Sequence, residues 1–229
     1  MWKKKITILS LFALMVLCLS ACGKSNINLK DYVIEKREHL YTACDNLYSV
    51  SFSTGMRESD YNFDGVVNKM VPFGVLTLTR NENLPLTNDT YSYIVKIDDK
   101  SYSGFLEKSN NDNSYSADLE VNTLGNENIN VQISFTGYTF NKDLQNTSAN
   151  FQVDHNTALK LAQKELKKEI NNLLTDKNVK IEVITKVMKD YSNDELKNYY
   201  WYVGVVSTNG QTLGILLDAN NGETIAKKV

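Results

Sequence analysis

The run Tyr199-Tyr-Trp-Tyr-Val-Gly-Val-Val206 constrains the fold of this chain more than any other stretch. Aromatic and β-branched residues at this density read as a strand. Side chains of a strand alternate between its two faces. Tyr199, Trp201, Val203 and Val205 therefore share one face, and Tyr200, Tyr202 and Val206 the other. Both faces need a cover, because an antiparallel sheet with one face in water would alternate apolar and polar residues. One cover is close in sequence. Asp154 has the chemistry of an N-cap, and Ala158, Ala162, Leu166, Ile170 and Leu173 then fall on one helical stripe, with Lys160, Lys164, Lys167 and Lys168 off it. His155, in the first turn, is expected at the surface. Further strands are expected at Val179 to Met188, Leu213 to Leu217 and Thr224-Ile225, with turns at Asn209-Gly210 and Asp218 to Glu223. One helix covers one face only. The face of Tyr200 and Tyr202 is expected to pack against the N-terminal helix or the β-rich domain, with a partner protein as the alternative cover.

That rest is rich in period-two patterns. Tyr48-Ser-Val-Ser-Phe-Ser-Thr alternates strictly, and Phe73 to Arg80, Tyr91 to Asp98, Ser101 to Glu107, Ser114 to Val121 and Ile129 to Phe135 read as strands. About six short strands at this spacing suggest an antiparallel sandwich. An immunoglobulin-like arrangement is one option, without a Cys…Trp…Cys pattern behind it. Tyr91, Tyr93, Tyr102 and Tyr115 could form a sugar-stacking face, but tyrosine in strands more often packs its neighbours. Ahead of them Leu29, Val33, Leu40, Cys44 and Leu47 recur at helical spacing, which predicts an N-terminal helix with Cys44 in its buried stripe. His39 is expected at a solvated edge. It stands five residues before Cys44, so the two do not face each other on a helix as base and nucleophile. Asn141 to Asn150 is polar and lacks periodicity, and is the expected domain boundary. The expected fold class is α+β: an N-terminal helix and β-sandwich over 29–145, then one helix on an antiparallel sheet over 151–229.

One loop invites a metal reading. Asp60-Tyr-Asn62-Phe-Asp64-Gly65 places oxygens at positions 1, 3 and 5 and glycine at 6, as in the loop of an EF-hand or dockerin. Position 12, which should bring a carboxylate, is Val71, and Pro72 and Gly74 follow where a helix should run. A turn held by Asx hydrogen bonds is the better expectation, and no metal or cofactor is expected.

The chain opens with Lys3-Lys4-Lys5, an apolar run from Ile6 to Leu19, and Leu19-Ser20-Ala21-Cys22. A basic cap, a short apolar segment and small residues at the cut make a secretory signal peptide, too short to span a bilayer. The four-residue motif resembles the lipobox of bacterial lipoproteins. The resemblance implies removal of residues 1–21, a diacylglycerol on the Cys22 thiol, a tether over 22–28 and residence on the extracytoplasmic face of the cell membrane. Cys44 would then have no disulfide partner. Asparagine richness adds a likeness to lipoproteins of Gram-positive bacteria. Residues 154 to 229 resemble a PepSY domain, through Ala158 and Ala162, Tyr199-Tyr-Trp201-Tyr-Val203, Leu217-Asp218-Ala219 and Gly222-Glu223. That family implies a regulator of peptidases or a protein-binding module, and it brings no catalytic residues.

A net charge of −2, more negative once three lysines leave with the leader, argues against nucleic acid as a partner. Two histidines in separate segments, with no His-Glu-x-x-His, Gly-x-Ser-x-Gly or glycine-rich phosphate loop, argue against an enzyme. The expected function is a membrane-anchored module that binds an envelope protein or regulates an extracellular peptidase. The alternative is a surface lipoprotein that binds cell wall or carbohydrate.

Overall fold

Residues 33 to 44 form a strand, and this changes the architecture of the whole chain. The structure, a computed structural model, describes residues 27–59, 62–80, 90–109, 113–121, 128–189 and 198–229. A 3-10 turn at Leu29–Tyr32, capped by the Asn28 side chain on the Lys30 amide, runs straight into β1 (Val33–Cys44). The expected N-terminal helix is not there. Its charges show why: Arg37 donates to Glu35 at 2.8 Å and Lys36 to Glu38 at 2.9 Å. Partners two residues apart share one face of a strand and stand on different sides of a helix. Cys44, expected in a core, lies exposed at the end of β1.

Twelve more strands follow among the described residues. They are β2 (Tyr48–Glu58), β3 (Met70–Arg80), β4 (Ser92–Ile97), β5 (Lys100–Phe105), β6 (Glu107–Lys108), β7 (Ser114–Leu119), β8 (Ile129–Phe135) and β9 (Tyr138–Asn146). After two helices, α1 (His155–Glu165) and α2 (Lys167–Leu173), come β10 (Ile181–Lys189), β11 (Tyr199–Ser207), β12 (Thr212–Asp218) and β13 (Thr224–Lys228). A single path runs β13-β12-β11-β10-β1-β2-β3-β7-β6, and β9-β8-β4-β5 branches from β1. The branch folds β1, β2, β3 and β7 with β9, β8, β4 and β5 into a nearly closed barrel.

This corrects the expected α+β fold, with its sandwich and separate helix-on-sheet domain. One mostly antiparallel sheet passes through both halves, and β1 is the shared strand. Its first half pairs with β10 in parallel, Val33 opposite Val183 through Arg37 opposite Lys186. Its second half meets β9 on the same edge, at Tyr41 and Thr42. The register slips between Val33 and Glu35 on one side and between Arg37 and His39 on the other. Such bulges bend and twist a strand, which lets β1 leave one neighbour and take another. The polar stretch expected to be a boundary is β9, which needs only Phe140 and Leu144 turned inward.

Two cores result. The first packs Ala158, Ala162, Leu166, Ile170 and Leu173 of the helices on Trp201, Val203 and Val205 of β11, and receives Val33 and Leu40 of β1. Asp154 caps α1 through a 2.7 Å bond from the Thr157 amide. The second core fills the barrel with Phe52, Leu76, Tyr91, Val131 and Phe140, and receives Tyr41. Tyr91, Tyr93 and Tyr115 are buried in it and Tyr102 packs against it, so none of the four offers an open sugar platform.

The second face of β11 is covered partly by the other half, since Tyr200 is buried and the loop between β2 and β3 reaches Glu182 on the same face, and partly by the strand itself. Tyr202 lies along its own sheet, with its hydroxyl 2.6 Å from where a Cβ on Gly204 would sit and its ring near Gly214. The Lys186 amine stands 5.6 Å above the ring. Two glycines and a cross-strand lysine thus accommodate Tyr202.

Candidate functional site: a polar groove on the outer face of the barrel

The site begins with strand alternation. Tyr48, Val50 and Phe52 of β2 point into the barrel core, which leaves Ser51 and Ser53 on its outer face. In register with them, Ser51 faces Thr77 of β3 and Thr77 faces Ser116 of β7, while Thr79 faces Ser114. Hydroxyls of three adjacent strands, about 4.8 Å apart strand to strand, therefore form a polar floor. Together with Leu40, Val75 and the end of β10 they line a groove of about 470 Å³.

Its charge is one-sided. Arg37, Arg80, Lys186 and Lys189 line it, against the single carboxylate of Asp118. Asp118 already accepts from Arg57 at 2.6 Å. Arg37 holds Glu35 at 2.7 Å. Lys186 has no ion-pair partner among the described residues. Burial, and next the charge of Arg37, hold its amine below the usual lysine value, with Glu35 acting the other way. A cationic groove on a chain of net charge −2 is a local feature that overall composition conceals. The hydroxyl rows were legible as serines and threonines between apolar residues. The cations were not, because the pairing of β1 with β10 joins residues about 150 positions apart.

The loop with the calcium-type spacing lies between β2 and β3. Gly65 adopts φ +71°. The Val66 amide bonds the Asp64 carboxylate at 2.8 Å, an Asx turn of the expected kind. Asp60 falls outside the described residues, and Asn62 and Asp64 are exposed. The loop's amides serve another carboxylate: Asp64 and Gly65 donate to Glu182 Oε1 at 3.0 and 2.9 Å. The Asn68 amide donates to Glu58 Oε1 at 2.5 Å. Glu58 and Glu182 are both buried, each with an Oε2 that has no hydrogen-bond partner among the described residues. Burial pushes Glu182 above the usual carboxyl range, the two amides pull it back, and Glu58 and Asp64 add to the rise. Among the described residues, no three His, Cys, Asp or Glu side chains stand close enough to hold a metal ion.

His155 is buried, contrary to the expectation of a surface histidine. Its ring packs 6.0 Å from Trp201, and Nδ1 lies 3.4 Å from Glu38 on the β1 bulge. Burial holds it below the usual imidazole value, against the pull of Glu38. His39 is half-buried on β1, remote in role from Cys44. Cys22 lies outside the described residues, and no helix among those described is long and apolar enough to cross a membrane.

Two other hollows differ from the groove in their chemistry. A hollow of about 640 Å³ between α2 and the β11–β12 turn has amide and hydroxyl walls and the acids Glu169 and Asp176, with no cation. A recess of about 350 Å³ on β4, β5 and β8 carries exposed Ile94 and Phe105 and no charge at all. Comparison with protein-family models, curated proteins and solved structures found no match for this chain.

Proposed function

We propose that this chain is a membrane-anchored, extracytoplasmic binding module that works through the groove on the outer face of its barrel and carries out no catalysis. The lipobox-like Leu19-Ser20-Ala21-Cys22 supports the anchor through a diacylglycerol on Cys22. Of the two partner classes open from sequence, the groove favours a cell-wall polymer. The single observation that carries this is an open floor of serine and threonine hydroxyls beneath arginine and lysine side chains. A groove that crosses several strands and mixes hydroxyls with cations suits an extended polar ligand, whereas a small-molecule pocket has only a few polar groups in a mostly apolar lining.

The test uses the full-length protein in detergent, mixed with membrane-free, insoluble wall material. The wild type pellets with the wall, and Thr77→Trp, which fills the groove from an exposed face, stays in the supernatant. Equal pelleting of the two, or none by the wild type, overturns the reading. Cys22→Ala abolishes acylation if the anchor is as proposed. A second reading, a module that regulates an extracellular metallopeptidase, is favoured by the capped helix α1 packed on β11, since the PepSY resemblance implies one helix on an antiparallel sheet. It predicts slower turnover of a thermolysin-type peptidase in the presence of this protein.

A further inference from the structure

We propose that the groove's ligand is a hydroxyl-bearing polyanion, a polymer whose repeat carries both free hydroxyls and negative charge, laid across β7, β3, β2 and β1 with its anionic groups against Arg37 and Lys186. The inference rests on the binding-module reading and narrows it to one ligand chemistry.

Three observations carry it. The first is charge. Four cationic side chains line the groove against one carboxylate, and that carboxylate is already held by Arg57. Lys186 is half-buried with an aromatic ring beneath it and no ion-pair partner among the described residues, because nearby Glu35 is held by Arg37. An arriving phosphate or carboxylate supplies the partner that its surroundings lack, and a charge-assisted hydrogen bond in a partly dry site is stronger than a neutral one. The second is the floor. Ser51, Thr77 and Ser116 lie in register across three strands. Each hydroxyl both donates and accepts, which matches the hydroxyls of a polyol or sugar. The third is that no aromatic side chain among the described residues lines the hydroxyl floor. The tyrosines of this half lie in or against the barrel core. Stacking on rings therefore supplies little of the affinity for a neutral glycan, and charge has to supply it. The groove also has lining residues from β10 to β7, four strand spacings or about 19 Å, a span that several repeats of a polymer can occupy.

The experiment measures binding of the full-length protein in detergent to four polymers: poly(glycerol phosphate), polygalacturonate, dextran and inorganic polyphosphate. The first two carry hydroxyls and charge, the third hydroxyls alone, the fourth charge alone. Binding is expected for poly(glycerol phosphate), polygalacturonate or both, weakening as salt rises. Capture of one and not the other identifies phosphate or carboxylate as the anionic group. Lys186→Gln should weaken that binding roughly tenfold, and Thr77→Val, which keeps shape and strand preference but removes the hydroxyl, about fivefold. Unchanged far-UV circular dichroism and melting midpoints show that both variants fold. Dextran bound as tightly as the charged polymers, or polyphosphate bound as tightly with Thr77→Val silent, overturns the proposal. If none of the four binds while wall pelleting still depends on Thr77, the ligand class is wrong and the binding module stands. If wall pelleting is also insensitive to the groove, both fall.

Discussion

Glu182 is a buried acid whose charged form this fold disfavours. It sits on β10 with one oxygen held by two loop amides and the other without a partner among the described residues, near Glu58, which accepts from one amide and likewise has an unpartnered oxygen. Burying a charged carboxylate without a cation is unfavourable, so the folded state favours the protonated acid. Its folded-state pKa lies above the ordinary value of 4.5. A carboxyl raised on folding contributes stability that is fully present below about 4.5 and is lost as pH rises through the higher folded value. Glu182→Gln keeps an acceptor for Asp64 and Gly65 and cannot ionise. The melting midpoint of the variant should therefore gain on the wild type between pH 4 and pH 8. Parallel pH profiles for the two proteins would show that the buried charge is compensated. His155 works at the other end of the range. Its lowered pKa makes the neutral ring the folded form, so its contribution is lost as pH falls below about 6.5.

At the scale of elements, β1 is where local reading and the fold part company. Leu29, Val33, Leu40 and Cys44 do recur at helical intervals, and apolar spacing alone cannot separate that from a bulged strand. The signal that could have decided it lies in Glu35-Lys36-Arg37-Glu38, whose opposite charges stand two apart. Bulges spoil strict alternation, and β1 has two. One of them depends on Gly55 of β2. A Cβ there would lie 1.7 Å from the Lys36 carbonyl oxygen and 2.7 Å from Arg37 Cα, both backbone atoms that cannot swing aside. Gly55→Ala should cost about 3 kcal/mol or more, the range of overpacking that moves backbone. Denaturant unfolding reads this directly, and a loss within the ordinary surface range of about 0.5 kcal/mol would mean that β1 and β2 part easily. The helical stripe from Ala158 to Leu173, by contrast, was legible without help. A capped, amphipathic segment on a strand as apolar as β11 has few other ways to fold.

At the scale of the molecule, one strand belongs to both cores. Val33 and Leu40 enter the helix-covered core, and Tyr41 the barrel. Neither half can lose β1 without exposing the other, so the two should unfold together. A Trp2→Phe chain leaves Trp201 as its only tryptophan, a probe of the first core. Its fluorescence and far-UV circular dichroism, which reports strands of both halves, should share one denaturation midpoint. Two steps in the dichroism, with Trp201 following only one, would separate the halves. The sequence by itself determined most of the strands, the capped helix, the outward serines and threonines, and the likeness of its first 22 residues to a lipoprotein leader. All of these rest on interactions within about a dozen residues. Only the tertiary structure decided that β1 is a strand, that one sheet runs through both halves, and that Lys186 comes to lie beside Arg37 over a hydroxyl floor. Strand pairing is made between residues far apart in the chain, and a period-two pattern states which face a side chain takes without naming the neighbour it will meet. The run from Tyr199 to Val206 required two covers. Which ones it would get, helices on one side and the β2–β3 loop with its own Tyr202 on the other, was settled only by packing.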